Sequence, residues 1–441
     1  MFFNGNKPIR MVSAFKSGLF ANALRLAEKL LRQTPAFPNA HRIRVLSLSR
    51  MQRHDEALAA CREAIALFPE SPEPYAVGVS VAIAARDFKT CLEMLLEQIR
   101  RGGNINCGQL HNVLKNAAVQ FARSSPSPAE MRNHLEGLVR TLREICDHTG
   151  RRLLLMIGNC QLPVITEILN NTPAFTAQCF AYCYKGVHVC SPTELDSLAN
   201  ALELCDGLIS QYLYSAEFGR LRTEELRAAC RGSLVTIPTC WFNVTSLDAF
   251  RLSQMRAGDP DANMHSVLLA RAFLGGLNLD QAVEYYEEAE LFSGGVLTGS
   301  LKATEENLRQ RDAHLDFSVT DFVLEGFRDR RLFHSYNHPT LEVLLEICAG
   351  ISERLDLPFT KDPAAYAAFD RLTNPLWNIH PKIRSHFNLR FHEESRFAFG
   401  GQRLSPAAFA QREYKLFAGV DREVLAADVA RKEQELKIFY A

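Results

Sequence analysis

The residues best suited to chemistry are Gly158-Asn159-Cys160-Gln161, which follow five apolar residues, Leu153 to Ile157, without a break. A helical pattern begins at once, with Pro163 in its first turn. A thiol at the start of a helix meets free backbone N–H groups and the positive end of the helix dipole. Both favour the thiolate, so the pKa of Cys160 can fall into a reactive range. The amides of Asn159 and Gln161 are candidate donors to an oxyanion, with Gly158 shaping the turn. The plainer reading is a buried cysteine at a tight glycine turn, and the polar triplet directly after an apolar run argues against it.

A nucleophilic thiol needs a base. Among thirteen histidines, His338 stands out, because it follows the strand-like run Leu332–Tyr336 and precedes Pro339 and a new helix. His334 and His380 are weaker candidates. Asn337 beside His338, and Ser210-Gln211 at the end of another apolar run, are candidate oxyanion or substrate contacts. Arg220 and Arg222, in the loop that follows, suit an anionic group such as a phosphate. Cys179, Cys183, His188 and Cys190 have a spacing near that of zinc ligands, but Cys179 and Cys183 lie in an aromatic, strand-like stretch around Phe180–Tyr184. No metal is expected. Neither a GxGxxG nor a GxxxxGK[ST] motif occurs, so dinucleotide and P-loop nucleotide binding are unsupported.

These side chains need a scaffold, and the pattern from 151 onward supplies one. Strands are expected at Arg152–Ile157, Thr176–Tyr182, Cys205–Gln211 and Ser233–Ile237. Helices are expected between them at Leu162–Asn170, Pro192–Leu204 and Thr223–Cys230. Such alternation implies a parallel sheet, whose chemistry lies at the carboxyl ends of its strands. Further helices are expected at Asn263–Leu274, Leu279–Phe292, Ser300–Arg311, Leu341–Leu355 and, at the end, Asp421–Phe439. The carboxylates around Glu287 read as a solvated helix face.

The first 103 residues have a different rhythm. Ala23-Leu24, Ala57-Leu58 and Cys91-Leu92 are spaced by 34 residues, as are Pro35 and Pro69. A helix–turn–helix period of that length resembles the tetratricopeptide repeat. Such an array suits a protein partner, or packing on the rest of the chain. The boundaries read as 1–103 for the repeats, 104–150 for a capping helical hairpin and 151–441 for the α/β domain.

Lys and Arg total 50, as do Asp and Glu, so the formal net charge is zero and general nucleic-acid binding is not expected. No apolar run approaches the about 18 residues that span a bilayer. With scattered cysteines and no apolar leader at the start, a cytoplasmic protein with reduced thiols is expected.

GNCQ after an apolar strand, SQYLY after CDGLI, TIPTCWFN, LFHSYNHPTLEVL and NIHPKIRSHF, in that order, resemble the WcbI family of capsular polysaccharide biosynthesis proteins. The resemblance covers about 151–390. It implies a fold related to the SGNH hydrolases and flavodoxin-like sheets, coenzyme A binding, and acetyl transfer from acetyl-CoA to a glycan or nucleotide-sugar-linked acceptor. It puts Cys160 in the place of the SGNH serine, Gln211 near the oxyanion block and His338 in the place of the terminal histidine. SGNH enzymes carry D-x-x-H there, whereas this chain has Ser335-Tyr-Asn-His338. The resemblance therefore implies a Cys–His dyad rather than a triad. An esterase or thioesterase, and a non-catalytic adaptor that only binds the ligand, are the alternatives.

Overall fold

The computed structural model describes residues 6–124, 126–230, 232–254, 264–392 and 395–437. The first part is helical: α1 (Asn6–Lys16), α2 (Phe20–Gln33), α3 (Pro38–Arg50), α4 (His54–Leu67), α5 (Pro72–Ala85), α6 (Phe88–Arg100), α7 (Cys107–Arg123) and α8 (Pro128–Thr149). The repeating small residues lie in α2, α4 and α6, and each is fully buried. The period of the sequence is thus the period of a buried small residue in every second helix. Gly78 in α5 marks a close helix crossing, since a Cβ there would stand 2.3 Å from Met94 Sδ. Ser127 and Glu130 form a reciprocal cap on α8.

The α/β part follows as β1 (Arg152–Ile157), α9 (Gln161–Asn170), α10 (Pro173–Thr176), β2 (Cys179–Tyr182), α11 (Pro192–Ala201), β3 (Gly207–Gln211), α12 (Thr223–Ala229) and β4 (Ser233–Ile237). The four strands form one parallel sheet in the order β2-β1-β3-β4. Alternation splits the apolar strands between two cores. Leu154, Met156, Ile209 and Val235 pack in one core with α9 and with α17 (Leu341–Arg354). Leu153, Leu155, Ile157, Phe180 and Leu208 face the other way and share a core with Leu138, Val139, Leu142 and Cys146 of α8. That second core runs on without a break to Val45 and Leu48 of α3. The hairpin expected to cap the array therefore also covers one face of the sheet.

The remaining elements are β5 (Ala249–Phe250), β6 (His265–Ser266), α13 (Val267–Leu274), α14 (Leu279–Glu288), α15 (Gly294–Asp312), α16 (Thr320–Gly326), β7 (Phe333–Ser335), β8 (His338–Pro339), the α17 given above, α18 (Pro381–His386), β9 (Phe397–Phe399), β10 (Gln402–Leu404), α19 (Pro406–Phe417) and α20 (Arg422–Lys437). The expected helix ends at Asn263 and Phe439 lie outside the described residues. Helix α14 stops at Glu288, short of Phe292, because Ala289 turns to φ 35°. The run near His338 is no strand of the main sheet. Strands β7 and β8 form a separate antiparallel ribbon. Among the described residues, no helix is long and apolar enough to cross a membrane.

Strand order decides where a site can lie. From β1 the chain goes out to β2 at the edge, and the next strand, β3, returns on the other side of β1. The loops after β1 and β3 therefore diverge, and a crevice opens at their carboxyl ends. Gly158–Cys160 and Gln211 occupy those two ends.

Candidate active site

Cys160 stands at the N-terminus of α9, half-buried. Asn159 Oδ1 accepts the Gln161 N–H at 2.9 Å and so sets the turn. The expected fall in the thiol's pKa is not found. Burial raises it above its ordinary value, while Cys160's own backbone N–H and the guanidinium of Arg251 pull the other way. Water withdrawn from the sulfur outweighs one N–H and one exposed cation. At neutral pH the sulfur is a thiol that needs a base.

Gln161 and Gln211 do not have the free donors expected of oxyanion groups. Gln211 Oε1 accepts the Asn159 N–H at 2.7 Å, and its Nε2 donates to Gln161 Oε1 at 3.2 Å and to the Pro238 carbonyl at 3.3 Å. Gln161 Nε2 donates to the carbonyls of Cys240 at 2.8 Å and Asn337 at 3.0 Å, and its Oε1 also accepts the Cys240 N–H. Both side chains are almost wholly buried. They brace the crevice and leave the Cys160 N–H as the donor at the sulfur. Gly158 is required by this brace, because a Cβ there would stand 2.4 Å from Gln211 Oε1. Ser210 is buried and its hydroxyl donates to the Gln211 carbonyl, so it too is structural.

The Gln161–Asn337 bond carries the β7–β8 ribbon to the start of α9. Cys160 and His338 each lie one residue from it. Burial and the neighbouring His334 push the His338 pKa down to about 4; the carbonyls of Leu372 and Asn374, bonded to the ring, resist, and Arg251 lowers it further. His338 Nδ1 is buried without a hydrogen-bond partner. A ring whose other nitrogen faces carbonyls is a neutral imidazole with Nδ1 as its lone pair. The orienting role of the absent D-x-x-H aspartate thus falls to backbone carbonyls. An aspartate does lie close by, but Asp370 meets His334, at 3.4 Å. The side chain of Asn337 accepts from Ser335 Oγ at 3.5 Å.

The sequence offered no signal for Arg251. It follows the short strand β5, its Nε donates to the Tyr336 hydroxyl at 2.8 Å, and its charge bears on Cys160, His188 and His338 together. Trp241 packs on Tyr336 with ring centroids 4.4 Å apart and is partly exposed. Trp241 lies in the TIPTCWFN segment quoted above, but its partner in the ribbon was not visible in the sequence.

Other expected residues are engaged elsewhere. Arg220 donates to Asn200 Oδ1 at 2.8 Å and the Asp196 carbonyl, on α11, and Arg222 pairs with Glu225 on its own helix. His380 is fully buried as the cap of α18, with Nε2 on the Tyr286 carbonyl at 2.7 Å. Among the described residues no three His, Cys, Asp or Glu side chains gather as a metal site.

Residues 153–360 match the WcbI family, described as a polysaccharide biosynthesis enzyme. A solved WcbI structure, described as the native protein without a disulfide bond between coenzyme A and one of its cysteines, superposes with a TM-score of 0.55 at 19% identity. It covers 66% of this chain and 98% of its own. A Thermobaculum terrenum O-GlcNAc transferase mutant (13% identity, 100% of this chain, 98% of its own) and a Naa15/Naa10 complex bound to HypK-THB (11%, 99% and 54%) each give a TM-score of only 0.25. Superpositions that loose carry no argument. No curated protein matches. At 19% identity the solved structure speaks for the fold, and the sequence match for the family. Residues 153–360 accordingly match the WcbI family and share the fold of its solved structure, behind an all-helical N-terminal part.

Proposed function

We propose that the chain is a coenzyme A-dependent O-acyltransferase of polysaccharide synthesis, moving an acetyl group from acetyl-CoA to a sugar hydroxyl of a surface or capsule glycan or its precursor. The observation that supports this reading is the half-buried Cys160 sulfur and the unpartnered His338 Nδ1 on either side of the Gln161–Asn337 bond. The WcbI structure, described in terms of coenzyme A and a cysteine, adds a reason to bring a thioester to this thiol.

In this reading His338 Nδ1 takes the Cys160 proton and the sulfur attacks the thioester carbonyl. The bond from the acyl carbon to the coenzyme A sulfur breaks, and the proton passes from His338 to that departing sulfur. A sugar hydroxyl then loses its proton to Nδ1 and attacks the Cys160 thioester. The ester leaves and the proton returns to Cys160. The Cys160 N–H and Arg251 stabilise the oxyanion in both steps. The helical array serves a protein partner, with 1–103, 104–150 and 151–441 as the working divisions.

The test is acetyl transfer from acetyl-CoA to a sugar acceptor by the wild type, Cys160→Ala and His338→Ala. Each variant is expected to lose about a hundredfold or more while still binding coenzyme A in a calorimeter. Full activity in both variants would overturn the mechanism. Hydrolysis of acetyl-CoA without an acceptor, at the same rate as with one, would make the chain a thioesterase.

A further inference from the structure

The carboxyl edge of the sheet carries an apolar rim. Among the described residues, the large apolar side chains left exposed in the α/β part are Val189, Tyr214, Trp241 and Leu279. The first three lie in the turns after β2, β3 and β4, on the same edge as Cys160. Apolar surface gathered at the mouth of a crevice marks a place where a ligand lies.

Trp241 is the largest of them, and its surroundings tie it to the base. On one side of it, Gln161 Oε1 accepts the Cys240 N–H at 3.2 Å and Gln161 Nε2 donates to the Cys240 carbonyl at 2.8 Å. On the other, the Phe242 N–H donates to the Tyr336 carbonyl at 2.7 Å. The side chains of Cys240 and Phe242 are both buried. The indole packs on the Tyr336 ring, and that ring is itself buried and held at its hydroxyl by Arg251 Nε at 2.8 Å. Trp241 nevertheless stays 39% exposed. Tyr336 stands two residues before His338, and Gln161 follows Cys160 directly. A fixed, partly open indole thus stands beside both reacting groups, and a ligand that lands on it pays little to order it.

A pyranose ring has the matching surface. One face presents C–H groups, whose partial positive charge meets the negative face of an indole, and the hydroxyls lie around its rim. A sugar stacked in this way loses water from its apolar face while its hydroxyls stay within reach of a base. The acceptor hydroxyl must meet His338, and Tyr336 joins Trp241 to the ribbon that carries His338. We propose that Trp241 is the platform on which a sugar ring of the acceptor stacks, beside the hydroxyl that His338 deprotonates. The role of acceptor rests on the transferase reading above. The nucleobase of coenzyme A also has a π face, so the test must tell donor from acceptor.

Fluorescence reads the platform directly, because the chain has two tryptophans and the other, Trp377, is only 1% exposed. Acrylamide quenching of the full-length wild type therefore follows Trp241. The probes are coenzyme A and the methyl glycosides of galactose, glucose and mannose, the glycosides at about 0.1 M so that a weak stacking contact is populated. At least one glycoside is expected to lower the quenching several-fold, and coenzyme A to leave it unchanged. In acetyl transfer, Trp241→Ala should raise KM for the acceptor about tenfold with kcat and coenzyme A affinity near wild type, and Trp241→Phe should recover most of that loss. Thermal melts confirm that the variants fold, and the quenching measurement decides without them. Failure of all three glycosides to shield Trp241 overturns the proposal. Shielding by coenzyme A also overturns it, since the indole would then belong to the donor, and so does an unchanged acceptor KM in Trp241→Ala. If a glycoside shields Trp241 but the wild type neither binds coenzyme A nor transfers acetyl, the sugar platform stands and the transferase reading falls.

Discussion

Gln211 Nε2 donates to Gln161 Oε1 at 3.2 Å, which ties the end of β3 to the first turn of α9 across the crevice at the switch point of the sheet. The same two amides also hold the Asn159 N–H, the Pro238 carbonyl and the backbone of Cys240 and Asn337. Two side chains thus fix the loops after β1, β3 and β4 and the β7–β8 ribbon in one arrangement. Buried groups left without partners cost about 1–3 kcal/mol each. Gln211→Ala is expected to lower stability by at least that much. Gln211→Glu should be worse, since a carboxylate sets acceptors against Gln161 Oε1 and the Pro238 carbonyl. Urea unfolding of both variants decides it, and a Glu variant as stable as wild type would refute the brace.

Gly158→Ala tests the same brace from the backbone side. The added Cβ falls 2.4 Å from Gln211 Oε1 and 2.6 Å from Leu162 Cδ2, both in buried side chains. Overpacking of this kind costs about 1–3 kcal/mol. A lower melting temperature and slower acetyl transfer are expected together, because the displaced Gln211 releases the Asn159 N–H beside Cys160. An unchanged melt would show that Gln211 moves aside freely.

The reactivity of Cys160 should follow its surroundings. Burial raises the thiol above its ordinary 9.0, and Arg251 is the side-chain cation that lowers it. Alkylation by iodoacetamide, followed at the Cys160 peptide by mass spectrometry, is expected to keep accelerating through the alkaline range. Arg251→Gln should slow it several-fold at neutral pH, and Arg251→Lys should restore most of the rate. A plateau at or below neutral pH would mean that the start of α9 governs the thiol after all.

The strand–turn–helix at Cys160 was legible because a continuous apolar run, a glycine turn and a helical pattern are all local signals. Strands β1 and β4 begin and end where their patterns do. The partner residues were legible only as types. Gln211 was recognised as a polar strand end, but whether its amide points into the crevice or into a brace depends on Gln161, 50 residues away. Arg251 gave no signal, because a lone arginine after a two-residue strand has no pattern. Its place comes from long-range packing against Tyr336 of the ribbon. Helix α8 was read as a cap for the array; the sheet face it also covers is set by which of its apolar stripes meets β1, and periodicity does not name the partner.

Stability should depend on pH through two buried histidines. Burial pushes both His111 and His338 down to about 4 from 6.5. Between these values the unfolded chain binds the protons and the folded chain does not. Their contribution is therefore fully present above 6.5 and is lost as pH falls toward 4. The urea midpoint should decline across that window, and the decline should be shallower in a His111→Phe variant. A midpoint that stays level from 6.5 to 4 would contradict the burial of both rings.

The continuous core makes a prediction about cooperativity. Leu142 of α8 is fully buried among residues of the sheet and of the helical array. Removing its side chain to leave Leu142→Ala should cost about 2–5 kcal/mol. Because α8 is shared, the loss should fall on both parts at once. Circular dichroism of the wild type, which follows all the helices, and Trp fluorescence, which reports Trp241 and Trp377 of the C-terminal part, should melt together, and in the variant both should shift down by the same amount. A variant whose fluorescence melt stays at the wild-type temperature while helix is lost early would show that the array and the sheet unfold as separate bodies.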